Sequence, residues 1–342
     1  AGTILFNTIL SVVMMRMGAS IHSVKLVTSL VYVLRPLCMM FYVHKKYKID
    51  KTIKVVGEPI KQKWNGFAQH LASVVVSNTD VVVLTIFSSL ENVSIYSVYY
   101  TVVRGITDVI MTAVTGLEAM WGNMIAKKEI DQLQKSFGII EWAIHFVISF
   151  LFSATAVLIV PFINVYTRGI TDVNYNVPVF AFLLVLSYAF LCLRVPYFRI
   201  IKAAGHYKET QNGSFIQMFI NIILSVILVI KWGLVGVTIG TLIAMAYHTI
   251  YFAYYLREHI LYRKISIFFK HLFVDVIIVV CVILFTKFIK LSSITYIAWI
   301  IMAIKVSVIS FAITFIMNVI VYKKSVQHMV RLIKNYFVKY IS

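Results

Sequence analysis

Charged side chains are scarce in this sequence. Asp, Glu, Lys and Arg make up 13% of its 342 residues, whereas about 25% is usual for a soluble domain. So little charge does not cover a water-facing surface of this size, and much of the 61% of hydrophobic residues must face lipid instead. Disordered, collagen-like and soluble globular proteins are excluded on the same figures. We expect a polytopic membrane protein.

Cysteine and catalytic motifs are also scarce. Cys38, Cys192 and Cys281 lie singly within apolar runs, which predicts packing residues rather than disulfides or metal ligands. The sequence contains no Walker A, HExxH, paired-cysteine or GxSxG pattern. These absences argue against ATP-driven and hydrolytic chemistry, and we expect a protein that is not an enzyme.

Long apolar runs separated by polar breaks predict ten membrane-spanning helices. The predicted spans are residues 2–17, 23–43, 66–88, 95–120, 138–160, 177–198, 211–230, 234–256, 270–288 and 296–322. The breaks alternate in charge, and 22 of the 32 Lys and Arg residues fall on one side. The positive-inside rule makes that side, with the carboxyl terminus, cytoplasmic. The net charge of +19 therefore reflects topology, and no nucleic-acid partner is expected.

Two segments of the chain resemble each other. Residues 6–12 match residues 220–226, and each segment is followed by a basic residue, a bulky residue and glycine. Both copies run outward, so the repeat is parallel in topology. We predict five segments: the last two helices of a first lobe (1–43), an inter-lobe linker (44–65), a six-helix second lobe (66–256), a loop with an extra helix pair (257–322) and a basic tail (323–342). The earlier helices of the first lobe are expected to be missing.

Polar residues follow one face of the third and fourth predicted spans. Gln69, Ser73, Ser77 and Asp80 are spaced by four or three residues, as on one side of a helix. The fourth span has the same spacing in the set Tyr96, Tyr100, Arg104, Asp108, Thr112, Thr115 and Glu118. Facing stripes of this kind favour the wall of an aqueous cavity. The alternative is a buried, static network of Arg104, Asp108 and Asp80.

The second span carries Tyr32 and Arg35 near the middle of the membrane. An arginine at that depth costs about 2.5 kcal/mol or more, so it should face protein or water. Arg35 is suited to bidentate phosphate binding, and pairing with Asp80 explains it equally well. Arg194 lies nearer a cytoplasmic end, where snorkelling to the interface explains its charge.

Several segments resemble the polysaccharide-exporting flippases of the multidrug/oligosaccharidyl-lipid/polysaccharide superfamily. The similarity extends over nearly the whole chain and is strongest over residues 30–256. The segments that carry it are Asn78-Thr79-Asp80 and residues 93–99, 165–175, 194–197, 203–210 and 233–241.

The resemblance implies an all-α fold of two helical lobes in a V around a central cavity. It also implies transport of an undecaprenyl-diphosphate-linked oligosaccharide across the bacterial cytoplasmic membrane, with polysaccharide polymerase and glycosyltransferases as further partners. Arg35 and Arg104 would neutralise the diphosphate, and Tyr32, Tyr100, Gln69 and Ser77 would contact the diphosphate or sugars. No cofactor is expected beyond a coupling Na⁺ or H⁺, for which the candidate residues are Asp80, Asp108 and Glu118.

Two other functions are compatible with these residues. A cation-coupled multidrug exporter of the same superfamily would need a cavity dominated by carboxylates and aromatic rings. A non-transporting scaffold of a polysaccharide-assembly complex would tolerate loss of Arg35 and Arg104.

Overall fold

The computed structural model describes residues 2–47, 62–171, 173–327, 329 and 331. Most of the predicted linker (44–65) and tail (323–342) lie outside these residues. Secondary structure in the described part of the chain is α-helical, in ten helices. They are α1 (Gly2–Arg16), α2 (Ile21–Lys46), α3 (Lys63–Phe87), α4 (Leu90–Ala113), α5 (Leu117–Ala126), α6 (Ile130–Tyr166), α7 (Pro178–Ala203), α8 (Tyr207–His259), α9 (Ser266–Thr286) and α10 (Tyr296–Val321).

Eight of these described segments are long and apolar enough to cross a membrane, with α4 and α5 taken together. Helix α1 is shorter, at 15 residues, and α8 counts as one segment although its 53 residues exceed the roughly 20 that a bilayer requires. Non-helical backbone at Gly233 (φ 52°, ψ −127°) divides α8 into two antiparallel halves, residues 207–232 and 234–259. The two predicted spans there are thus both present.

The chain divides into two compact units, Ala1–Lys61 and Gln62–Ser342. Within the described residues of the first unit, α1 and α2 form a helical hairpin. Its turn contains Gly18 at φ 77°, a conformation that costs glycine little. The Ser20 hydroxyl then caps α2 by accepting a hydrogen bond from the Ser23 amide at 3.2 Å. Asn7 Nδ2 donates to the Thr28 carbonyl at 3.3 Å and joins the two helices.

The second unit packs around α8, which contacts α3 on one side and α7 on the other. The two halves of α8 approach each other very closely. A Cβ on Gly236 would lie 2.1 Å from the Leu228 carbonyl oxygen, and one on Gly240 would lie 2.8 Å from the Ser225 amide nitrogen. Small residues at such contacts are typical of helix packing in membranes. This close packing holds the polar residues of both halves in fixed register.

The extra helix pair α9–α10 is attached to α6 by a polar seam. Glu141, His145, Ser149 and Ser153 follow each other at four-residue spacing on α6 and are all buried. Asp275 of α9 lies 2.5 Å from both His145 Nδ1 and Ser149 Oγ. The hydroxyls of Ser153 and Ser310 of α10 lie 2.8 Å apart. Hydrogen bonds between polar side chains join helices that are otherwise as apolar as the lipid.

The predicted fourth span was wrong in one respect. A single helix over 95–120 was expected, but α4 ends at Ala113 and α5 begins at Leu117. The Trp121 ring of α5 is fully buried in a cluster with Phe137 and Tyr197. Helix α5 therefore packs against α6 and α7, and its Glu118 pairs with Arg199 of α7.

Candidate functional site

A cavity of about 360 Å³ opens within the second unit, between α3, α4, α7 and the second half of α8. Helices α3, α4 and α7 contribute polar or aromatic side chains to its wall, and α8 contributes Met245. The lining residues are Ser73, Ser77, Tyr100, Arg104, Thr107, Asp108, Met111, Tyr188, Leu191, Arg194, Val195, Phe198, Arg199, Lys202 and Met245. The facing polar stripes of α3 and α4 thus share a cavity.

Arg104 lies on α4 at the cavity wall. Its Nη1 donates to the Tyr100 hydroxyl at 2.8 Å, and its Nε lies 3.5 Å from Asp108 Oδ2. The side chains of Arg104 and Asp108 are 57% and 62% exposed, so this ion pair contributes little stability. Both charges remain accessible to a molecule in the cavity. The pairing of Arg104 with Asp108 follows the predicted network, but its extension to Asp80 was wrong, because Asp80 has other partners.

Arg199 and Lys202 come from the last turns of α7. Arg199 Nη1 lies 3.1 Å from Glu118 Oε2 of α5, and the Lys202 ammonium lies over the Phe198 ring at 5.1 Å. Glu118 is therefore paired with an arginine, as Asp108 is. Two of the three carboxylates predicted to bind a coupling cation already have a cationic partner.

Arg194 was expected to snorkel to the interface, and that expectation was wrong. Its Nη1 donates inward, to Gln217 Oε1 at 3.2 Å, and lies 2.5 Å from His248 Nδ1. Both acceptors lie on α8 and are buried. Within the part of the chain that the structure describes, no carboxylate forms an ion pair with Arg194. A sequence signal for this inward orientation was the polar stripe Ser214–Gln217–Asn221 on α8, because Gln217 is one of the two acceptors.

The cavity carries an excess of positive charge. Arg104, Arg194, Arg199 and Lys202 line it together with one acidic residue, Asp108. When Glu118 is counted as the partner of Arg199, four cations and two anions leave two positive charges unbalanced. Guanidinium groups in a partly desolvated site favour phosphate and other oxyanions.

Tyrosine rings form the remainder of one wall. The Tyr100 ring lies 5.7 Å from the Tyr188 ring and 5.6 Å from the Tyr96 ring. Tyr100 and Tyr188 reach the cavity, where their hydroxyls and ring faces can contact polar or ring-shaped ligands. Of the residues predicted to bind substrate, Arg104, Tyr100 and Ser77 thus lie in this cavity.

The other predicted substrate residues lie elsewhere. Gln69 is buried against α8, where its Nε2 donates to the Tyr207 carbonyl at 2.9 Å and to Thr210 Oγ1 at 2.8 Å. These bonds make it a helix-joining residue, and it does not line the cavity. Tyr32 and Arg35 are exposed on α2 of the first unit. Their assignment to substrate remains a prediction.

Asp80 belongs to a separate, buried site between α3, α4 and α8. Its side chain is 3% exposed. Thr241 Oγ1 donates to Oδ1 at 2.6 Å, and the Tyr96 hydroxyl donates to Oδ2 at 3.0 Å. No basic side chain pairs with Asp80 among the described residues. A buried carboxylate without a cation is costly unless it holds a proton or binds a metal ion.

Asn221 completes this buried site. Its Nδ2 donates to Thr241 Oγ1 at 3.0 Å, whereas its Oδ1 is buried and has no hydrogen-bond partner. The carboxylate, amide and hydroxyl oxygens provide the hard ligands that small cations prefer. Nothing in the sequence brings Asn221 next to Asp80, 141 positions away, so it was not among the predicted site residues.

No family model and no curated protein matches this sequence. Among solved structures, the chain is similar to the lipid II flippase MurJ in an inward closed conformation, with a TM-score of 0.58 and 18% identity. The chain shares the fold of MurJ. The alignment covers 95% of this chain and 66% of MurJ, so the chain spans about two thirds of its length. The predicted fold class, an all-α polytopic membrane protein built as a helical bundle, is confirmed.

Proposed function

We propose that this protein moves an undecaprenyl-diphosphate-linked oligosaccharide from the cytoplasmic to the external leaflet of a bacterial cytoplasmic membrane. The observation that supports this most strongly is the cavity with two unbalanced positive charges inside a fold shared with MurJ, a flippase of lipid II. A diphosphate diester carries two negative charges at neutral pH, which this excess would neutralise. A diphosphate-linked substrate is thus favoured over an uncharged one.

The cavity would bind the diphosphate through Arg104, Arg194, Arg199 and Lys202. The side chains of Ser73, Ser77, Tyr100 and Tyr188 would contact the first sugars, since hydroxyls and aromatic rings suit sugar faces and edges. The isoprenoid tail would remain in the bilayer while two lobes alternate in access. The asymmetry of basic residues supports a cytoplasmic carboxyl terminus. A polymerase and glycosyltransferases that handle the same substrate are the partners that this function implies.

The buried Asp80 site would bind the coupling ion. Asp80, Asn221 and Thr241 fit a monovalent cation such as Na⁺, because Asn221 Oδ1 lacks a partner and Asp80 lacks a counter-charge. Protonation of Asp80 would balance the same charge. Of the three carboxylates predicted for coupling, Asp80 is favoured because Asp108 and Glu118 already pair with arginines.

The multidrug-exporter alternative receives less support, since an excess of positive charge repels the cationic compounds that such exporters handle. A direct test measures binding of two fluorescent probes, a short polyprenyl diphosphate and the cation ethidium, to the chain in lipid nanodiscs. The diphosphate should bind, and Arg104→Ala and Arg199→Ala should each weaken it roughly ten-fold, as expected for loss of a hydrogen bond between charged groups. Arg257→Ala, at the end of α8 and outside the cavity, is the matched control. Preferential binding of ethidium would overturn the proposal.

A further inference from the structure

Arg194 differs from the other arginines of the cavity in the partners that hold it. Arg104 and Arg199 each lie beside a carboxylate, Asp108 and Glu118 respectively. Arg194 is held by the amide oxygen of Gln217 and the imidazole of His248. Because both acceptors are neutral, they orient the guanidinium without cancelling its charge. A carboxylate in either place would orient it equally well but would remove the attraction for an anion.

The protonation state of His248 follows from the geometry. Arginine can only donate, so His248 Nδ1 must accept at 2.5 Å, and the imidazole is neutral. Its proton is then on Nε2, which faces the Ser214 hydroxyl at 3.4 Å. The other titratable groups facing the ring are Arg194 of α7 and Tyr251 of α8 itself.

Packing fixes the imidazole in this orientation. His248 is 5% exposed, and its ring lies 4.1 Å from the Phe252 ring and 6.3 Å from the Tyr251 ring. Tyr251 is itself packed against Gly213 of the first half of α8, where a Cβ would come within 2.1 Å of its ring. The ring of His248 therefore has little freedom to turn away from Arg194.

We propose that His248 is a positioning residue that keeps the uncompensated Arg194 guanidinium directed toward the phosphates of the substrate. This inference rests on the proposed function, because it requires a substrate that carries phosphates. Among the described arginines of the cavity, Arg194 is the one whose charge no carboxylate neutralises, so it should bind a phosphate most strongly. His248 itself does not contact the substrate. Its contribution is to hold a long, flexible side chain in one orientation before the anion arrives, which improves binding by lowering the ordering cost.

The test is a double-mutant cycle read by the binding of fluorescent farnesyl diphosphate to the chain in lipid nanodiscs, with farnesol as the uncharged control. His248→Leu should raise the dissociation constant several-fold, while His248→Asn should stay near wild type because its Oδ1 replaces Nδ1 as the acceptor. Arg194→Ala should weaken binding roughly ten-fold, as for loss of a charge-assisted hydrogen bond. The double variant Arg194→Ala/His248→Leu should equal Arg194→Ala, since His248 acts through Arg194.

The controls separate positioning from general damage. His259→Leu, at the exposed end of α8, should leave binding unchanged, and thermal unfolding of each variant reports its folding. If His248→Leu does not fold, His248→Phe keeps an aromatic ring without an acceptor and takes its place in the cycle.

The outcomes distinguish the inference from the proposed function. If Arg194→Ala weakens binding while His248→Leu binds like wild type, His248 has no positioning role and the inference fails alone. If His248→Leu weakens binding equally in the Arg194→Ala background, it acts by another route and the inference again fails. If wild type does not bind farnesyl diphosphate, or binds it no better than farnesol, the proposed function fails first.

Discussion

Replacing Arg263 with leucine would leave a buried carboxylate without its cation. Arg263 lies in the loop between α8 and α9, and both of its terminal nitrogens donate to the Glu141 carboxylate. The side chains are 15% and 0% exposed, respectively. Burial lowers the pKa of Arg263, but the bonds to Glu141 outweigh this and raise that pKa above the usual value for arginine. Arg263 therefore remains protonated and supplies the cation that the buried Glu141 carboxylate needs.

The expected magnitude follows from this burial. Removing one partner of a buried ion pair costs about 3–5 kcal/mol, because the remaining charge is uncompensated. At about 2 °C per kcal/mol, the value for larger chains, the Tm of Arg263→Leu should fall by roughly 6–10 °C. The assay is thermal unfolding of the purified chain in detergent, followed by intrinsic tryptophan fluorescence.

Two further variants make this prediction specific. Lys264→Leu removes a positive charge from the exposed neighbouring position and should change Tm by less than about 2 °C, as surface substitutions usually do. Glu141→Leu/Arg263→Leu removes both charges and should be more stable than Arg263→Leu, although the Tyr197 hydroxyl loses its acceptor. An Arg263→Leu variant as stable as Lys264→Leu would refute the reasoning.

The remaining predictions concern α8 and the buried carboxylate. Gly213→Ala would place a Cβ 2.1 Å from the Tyr251 ring and should lower the free energy of unfolding by about 1–3 kcal/mol. Gly138→Ala, a control with open space around it, should be neutral or slightly stabilising. Equal Tm values for the two variants would contradict this packing. The Tm of wild type should rise with added Na⁺ or on acidification, since an ion that binds the folded state stabilises it. Asp80→Asn should abolish that response, Asp108→Asn should keep it, and a response retained by Asp80→Asn would exclude a cation site there.

The sequence carried most of the information about helices. Apolar runs of about 20 residues reflect the thickness of the bilayer, so every predicted span has a counterpart in the structure. The break before α5 falls at Val114, Thr115 and Gly116, and Gly116 is the residue that precedes α5. Glycine disfavours a helix interior, so this residue was a local signal that the prediction of one helix overlooked. The burial of Trp121 beside Phe137 and Tyr197 is a tertiary contact that local patterns do not encode.

The site was only partly predictable for the same reason. Helical spacing brought Tyr100, Arg104 and Asp108 together, because those residues lie on one helix face. The inward orientation of Arg194 depends on acceptors 23 and 54 positions away on α8. Gln69 shares its helix face with Ser73 and Ser77, yet the approach of Tyr207 and Thr210 removes it from the cavity.

Transport of a lipid-linked oligosaccharide tests the central claim most directly. The chain is reconstituted into liposomes whose inner leaflet contains a fluorescently labelled undecaprenyl-diphosphate oligosaccharide, and appearance of the label on the outside is followed with an impermeant quencher. We predict that wild type and Arg257→Ala expose the label faster than protein-free liposomes, and that Arg104→Ala/Arg199→Ala is slower by at least about ten-fold. A wild-type rate equal to that of protein-free liposomes, or an unchanged rate in the double variant, would contradict the account.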